Sequence, residues 1–419
     1  MTWVDDSFCL QRQALSCSEC VTETGSKTSE SVYLMLINCF DEYDLSEQDL
    51  LRCWFTTDCG TNIITALEKG HRLDCTCHRY NTILRTAWDL TESLCEEAKT
   101  FRKSCHDLVR FAKQGNLQAT LPKSLKADSP TRWNSFLTVL RSIQENYDFL
   151  LNKFKNQPKN LLKLVNIDRN LLNELITFLT VFKTATDTLE KAKTPTLHLV
   201  AITRCDVIAE CAHKDNESYI ISTLKDFVLI TLKEKLILND LHWAATVLDP
   251  SMKHLSFLNA EERTGHLLNV TKLLSRSRES VSNSISLSPE KVSTMFVPLQ
   301  SNTTISKSDR YDKYRIVKDM SVGFAKTIED EFQSYILAAP PDQCANPLEY
   351  WRANQSVYPQ LGDIAKKIFA ISASSAASER EFSTMGRIFE PRRSQLSPSV
   401  ADSIMRVRSK LIRDRNQNN

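Results

Sequence analysis

Apolar residues recur at three- and four-residue spacing along most of this chain. Ile83, Leu84, Ala87, Trp88 and Leu90 mark one face of a helix. The runs Leu161–Val165, Leu171–Val181 and Ile220–Leu238 keep that period without a glycine. From the turn signal Asp128-Ser-Pro130 to about residue 270 the chain therefore reads as one long all-α block. The start of the chain has a different texture. Leu51-Arg-Cys-Trp-Phe-Thr-Thr57 is an aromatic and β-branched run that stops at Asp58-Cys-Gly60, which predicts a buried strand ending in a turn. A short helix follows over Asn62–Glu68, closed by Gly70. Residues 274–311 are rich in Ser, Asn and Thr and poor in large apolar side chains, the composition of a mobile loop. Helix resumes over Tyr311–Ile336 and breaks at Ala339-Pro-Pro-Asp342. A compact unit then runs to residue 412, ahead of a polar tail, 413–419.

Composition narrows the function classes. A chain of 419 residues predicts two or three structural units. Only 8 glycines occur, and neither GxGxxG nor GxxxxGK[ST] is present, so a phosphate-loop nucleotide enzyme is disfavoured. The net charge of +2 gives no general affinity for nucleic acid, and any such role has to come from local basic patches. Ten of the 13 cysteines precede residue 106. The first residues, MTWVDDSFCL, carry no basic and apolar leader pattern, so the thiols are expected to be free, in a reducing compartment. Cys17-Ser-Glu-Cys20 has no second ligand pair nearby, and no structural metal is expected. No apolar run approaches the ~18 residues of a membrane span.

Four motifs occur in a fixed order. Thr57-Asp58-Cys-Gly-Thr-Asn62 is followed by Cys75-Thr-Cys-His78, then by Ser129-Pro-Thr-Arg-Trp-Asn-Ser135, and then by Ala244-Ala-Thr-Val-Leu-Asp-Pro-Ser-Met-Lys253. The C-terminal unit adds Tyr350-Trp351, Tyr358-Pro-Gln-Leu361, Ala365, Ile368-Phe-Ala-Ile371, Ser374-Ser-Ala-Ala-Ser-Glu-Arg380, Phe382, Arg392-Arg393 and Leu396. Together these resemble the hAT superfamily of cut-and-paste transposases, in particular its domesticated members, with the dimerisation-region signature the most specific part. The resemblance implies α/β plus all-α architecture: an RNase H-like core split by a large helical insertion domain. It divides the chain into a partial core over 1–125, a helical insertion over 126–345 with the loop 274–311, and a dimerisation region over 346–412 that completes the core.

The resemblance also assigns chemistry. Such cores hold two divalent metals, Mg²⁺ or Mn²⁺, on three carboxylates. Asp58 takes the second carboxylate position and Glu379 the third, while the first belongs to a strand ahead of Met1. Asp5 and Asp6 are the early acids present. The expectation is accordingly a catalytically incomplete, vestigial site, with no cofactor and no enzyme activity. Cys75 and His78 form the family's CxxH element. Arg132, Trp133, Arg380, Arg392 and Arg393 are the nucleic-acid candidates. Ile364, Ile368, Phe382, Leu396 and Ile404 are the dimerisation candidates. The expected partners are a second copy and DNA, with no membrane and no small-molecule substrate, in the nucleus. Each residue also has an ordinary reading. Asp is common after strands, an acid suits the first turn of a helix, and Cys, His and Trp often serve packing alone. Charge runs are usually solvated faces. The runner-up function is an active DNA transposase.

Overall fold

The computed structural model describes residues 1–16, 28–128, 133–282, 327–341, 346–388 and 397–417. They are mostly helical. Four strands of three or four residues occur among them, in two separate pairs. β1 (Thr2–Val4) pairs antiparallel with β2 (Leu10–Arg12), Trp3 opposite Gln11. The turn between them is fixed by Asp5, whose carboxylate accepts the Ser7 and Cys9 amides and the Gln11 side chain at 3.0, 2.9 and 2.7 Å. The α/β expectation for 1–125 thus reduces, among the described residues, to two small strand pairs beside helices.

α1 (Ser29–Asp41) and α2 (Glu47–Arg52) precede β3 (Trp54–Thr57). The strand expected from Leu51 starts later because Ser46 and Asp49 close a reciprocal cap that carries the chain helically through Arg52. α3 (Thr61–Ala66) crosses over to β4 (His71–Asp74), which lies parallel to β3 with Thr57 opposite Asp74. α4 (Thr76–Leu94) then buries Ile83, Leu84, Ala87 and Trp88 as the periodicity predicts, with Tyr80 on the same face, whereas Leu90, also expected there, is exposed. α5 (Glu96–Gln114), α6 (Trp133–Phe154), α7 (Pro158–Val165), α8 (Arg169–Leu189), α9 (Leu199–Glu210), α10 (Tyr219–Lys235), α11 (Asp240–Leu248) and α12 (Ala260–Ser282) continue the chain. α4 packs against α8 and α10. The loop expected from residue 274 is helical as far as Ser282, with Leu274 buried, and the remainder lies outside the described residues.

The last helices are α13 (Ile328–Leu337), α14 (Pro347–Asn354), α15 (Pro359–Phe369), α16 (Ala376–Ile388) and α17 (Pro398–Gln417). The end of α11 and Lys253 just after it tie α13 and α14 to the helical block. The Tyr335 hydroxyl donates to Val247 O at 2.9 Å, Trp351 Nε1 to Leu248 O at 2.9 Å, and buried Lys253 Nζ to Tyr335 O and Ala338 O at 2.6 and 2.5 Å. Buried Glu331 accepts the Leu361 amide at 3.0 Å, closing the start of α15. The main core therefore runs from Phe8 to Ala373 as one cluster. Met385, Ala401 and Met405 form a separate small one between α16 and α17.

Candidate functional site

The ends of β3 and β4, the start of α4 and the turn into α16 meet at one corner. The Cys75 amide donates to Thr57 O at 2.7 Å, continuing the strand pairing by one step. The Thr76 amide donates to Ala373 O at 3.0 Å, and Thr56 Oγ1 to Ser372 O at 2.7 Å. These bonds bring residues some 300 positions apart in sequence into one small volume.

Asp58 stands just beyond β3, exposed, with Oδ1 accepting the Gly60 amide at 3.1 Å. A residue with a β-carbon at position 60 would place that carbon 3.3 Å from the same oxygen, so glycine leaves the carboxylate its turn. Arg72 braces the strand ends, donating through Nε to Thr57 Oγ1 at 2.8 Å and through its terminal nitrogen to Asp58 O at 2.8 Å. The same guanidinium and that of Arg79 bond Asp74. Burial works against the Asp74 anion, but the two arginines win and hold its carboxyl below the usual range.

Across the corner, Glu379 Oε1 accepts the Ser375 hydroxyl at 3.0 Å and lies 3.7 Å from His78 Nδ1. Buried Cys75 caps α4, and the Ser375 amide donates to its Sγ at 3.2 Å. Hydrogen bonding from Cys77 pulls the Cys75 thiol down to about 3, against burial and with help from His78 and Ser375. Cys77 moves upward in turn, chiefly through the same contact. His78 is raised first by its bond to Cys75, against burial, and then by the charges of Cys75, Glu379 and Asp58. The corner thus favours an imidazolium flanked by a thiolate and two carboxylates.

The structure therefore brings Asp58, Cys75, His78 and Glu379 together. It does not make a metal cage of them: no group of three or more His, Cys, Asp or Glu side chains is placed to hold an ion among the described residues. Asp5 is held in the turn between β1 and β2 by the Ser7 and Cys9 amides. No step through a metal follows from this geometry. Arg380 lies on the exposed side of α16 and donates to Glu190 O at 3.3 Å. Ile368 is buried in the chain's own core and Ile364 packs against it, while Phe382 and Ile404 are exposed. Arg132, Arg392, Arg393 and Leu396 lie outside the described residues, as does the side chain of Trp133 at the start of α6. Sequence reading missed Arg12, Arg72 and Ser375. Arg12 and Arg72 are single arginines in short strands with no spacing pattern, whereas Ser375 stood inside the C-terminal motif and was passed over as one serine among several. No described helix is long and apolar enough to cross a membrane.

Residues 331–411 match the hAT family C-terminal dimerisation region. The transposable element Hobo transposase of Drosophila melanogaster is 26% identical over 391 residues, covering 83% of this chain and 58% of that protein. Human zinc finger protein 618 is 23% identical, covering 92% of this chain and 38% of its own length. The putative AC transposase of Zea mays is 20% identical, covering 96% and 53%. The chain spans about half the length of the curated relatives it matches. Two of these relatives bear the name transposase, an enzyme, and this overturns the expectation that the chain is not an enzyme.

Proposed function

From the premise that this chain is related to the hAT transposases, we propose that it is a transposase-type protein of the nucleus that self-associates through its C-terminal helices and engages DNA. The two strand pairs with α4 represent part of an RNase H-like core in this reading, and α5–α12 the helical insertion. Asp58 and Glu379 hold two of the carboxylate positions that the resemblance assigns. Supporting this, Asp58 directly follows β3 and the His78–Glu379 contact closes the corner beside it.

One observation carries the self-association. Val400, Ile404, Val407 and Leu411 are all exposed on α17, at four-, three- and four-residue spacing. That is the spacing of an apolar seam between paired helices. The opposite face of α17, Ala401 and Met405, packs on α16. The stripe lies within the matched dimerisation region. Sedimentation velocity at micromolar concentration tests it. The native chain is expected to sediment above monomer mass, and Ile404→Glu with Val407→Glu to shift it to monomer. A native chain that stays monomeric at every concentration would sink the reading.

A further inference from the structure

The turn that leads into α16, where Glu379 sits, has another side. Arg12, on β2, is partly buried, and its Nε is enclosed without an acceptor among the described residues. One terminal nitrogen reaches Lys191 O and Ser372 Oγ, each at 3.5 Å, the outer limit of hydrogen bonding. Arg380, on α16, touches the neighbouring Glu190 O at 3.3 Å. Four segments converge here: β2, the end of α8, the turn 371–375 and the start of α16. Ser374 Oγ donates to Leu189 O at 3.3 Å and helps hold them.

Neither arginine forms an ion pair with a carboxylate among the described residues. A guanidinium taken out of water without a counter-charge is costly. A second one beside it adds repulsion. Burial, and then the charge of Arg380, push Arg12 down to about 10. The Glu190 carboxylate is pushed up by burial and by Glu379 and drawn down by Arg380, and it forms no ion pair with either arginine among the described residues. Such a pair is stabilised by an anion that accepts from both forks, and phosphate oxygens match that geometry. We propose that Arg12 and Arg380 form a clamp for a phosphodiester group of the DNA backbone, holding the strand against the turn 371–375, whose Ser375 contacts His78 and Glu379 on its other side. The clamp rests on the DNA-binding reading above and gives it a specific contact.

Fluorescence anisotropy of the full chain with a short labelled duplex, titrated over a series of salt concentrations, tests the clamp. Arg12→Gln with Arg380→Gln is expected to weaken binding about tenfold or more and to flatten the salt dependence by about one unit per lost phosphate contact. Arg12→Lys should restore the salt slope, because the charge returns, but not the full affinity. Arg380→Gln alone guards against misfolding, since that side chain is exposed. In a second arm, inorganic phosphate should raise the thermal midpoint of the native chain but not of Arg380→Gln. Native-like DNA affinity and slope in the variants would overturn the clamp. Phosphate stabilisation without DNA binding would keep the clamp and sink the DNA reading. Absence of both would sink both.

Discussion

At the scale of single residues, the enclosed histidines set how the fold responds to acid. His242 is buried in a reciprocal cap, its Nδ1 3.2 Å from the Asn239 amide and 2.7 Å from Asn239 Oδ1. Burial lowers it from 6.5 to about 4. The unfolded chain takes up a proton below about pH 6.5 that the folded chain refuses until about pH 4, so stability is lost as pH falls through that window. His198, lowered to about 4 by burial, acts in the same direction. Between pH 7 and pH 5 each ring should remove roughly 2 kcal/mol. Urea melts at the two pH values are expected to show the loss, and His242→Gln, which keeps an acceptor for the cap, to lose only the His198 share. Equal losses in both chains would refute the assignment. Little of this scale was legible beforehand. Asp58, Cys75, His78 and Glu379 stood out through motif order, yet nothing in their spacing says that Ser375 bonds Glu379 and Cys75 at once. Arg12 carries no sequence signal because its role comes from what surrounds it, three segments far away in the chain.

At the scale of elements, the helices and β3 were readable, and β1, β2 and β4 were not. α4, α8 and α10 each bury one face of a regular repeat, and a repeat sustained over many residues is a strong signal. β1 and β2 have three residues each, too few for any alternation to register. The Leu-Asp-Pro-Ser-Met-Lys segment was readable as a motif, but its work is a matter of packing. Lys253 is fully enclosed, with its ammonium closing the C-terminal carbonyls of α13 and lying 4.8 Å from the Tyr335 ring centre. Two effects oppose each other in Lys253→Met. Removing a desolvated charge helps, as the lowered basicity of the amine implies, but two enclosed carbonyls lose their donor. Each orphaned group costs about 1–3 kcal/mol, and the carbonyls are expected to win, leaving the variant less stable by about 2 kcal/mol. Trp351→Phe, which loses the bond to Leu248 O and leaves a cavity where the fully buried indole packs on Tyr335 and Tyr358, should cost about 2–3 kcal/mol. A Lys253→Met chain as stable as the parent in urea would show that the charge, not the cap, dominates the junction.

At the scale of the whole molecule, α16 and α17 stand apart from the main core. Their shared cluster is Met385, Ala401 and Met405. The ties from α17 to the N-terminal segment and α1 are polar: the Ala14 amide to Ser409 Oγ at 2.8 Å, and Arg406 to Glu42 at 2.5 Å. Such ties are worth little when solvent reaches them. The apolar stripe offers more once covered. Four half-exposed aliphatic side chains gain about 1 kcal/mol each on burial, on the order of 4 kcal/mol per copy. Association entropy consumes much of that, so the seam alone supports a weak contact. Folding and pairing are then linked, because a second copy binds the folded chain and not the unfolded one. The unfolding midpoint of the native chain should rise with protein concentration, by up to about 1.4 kcal/mol per tenfold for each dimer. Ile404→Glu with Val407→Glu places two charges on the exposed seam and leaves Ala401 and Met405 in place. It should therefore keep the low-concentration midpoint and lose the concentration dependence. A midpoint already lower at the greatest dilution would mean that the stripe supports the chain's own fold and not its pairing.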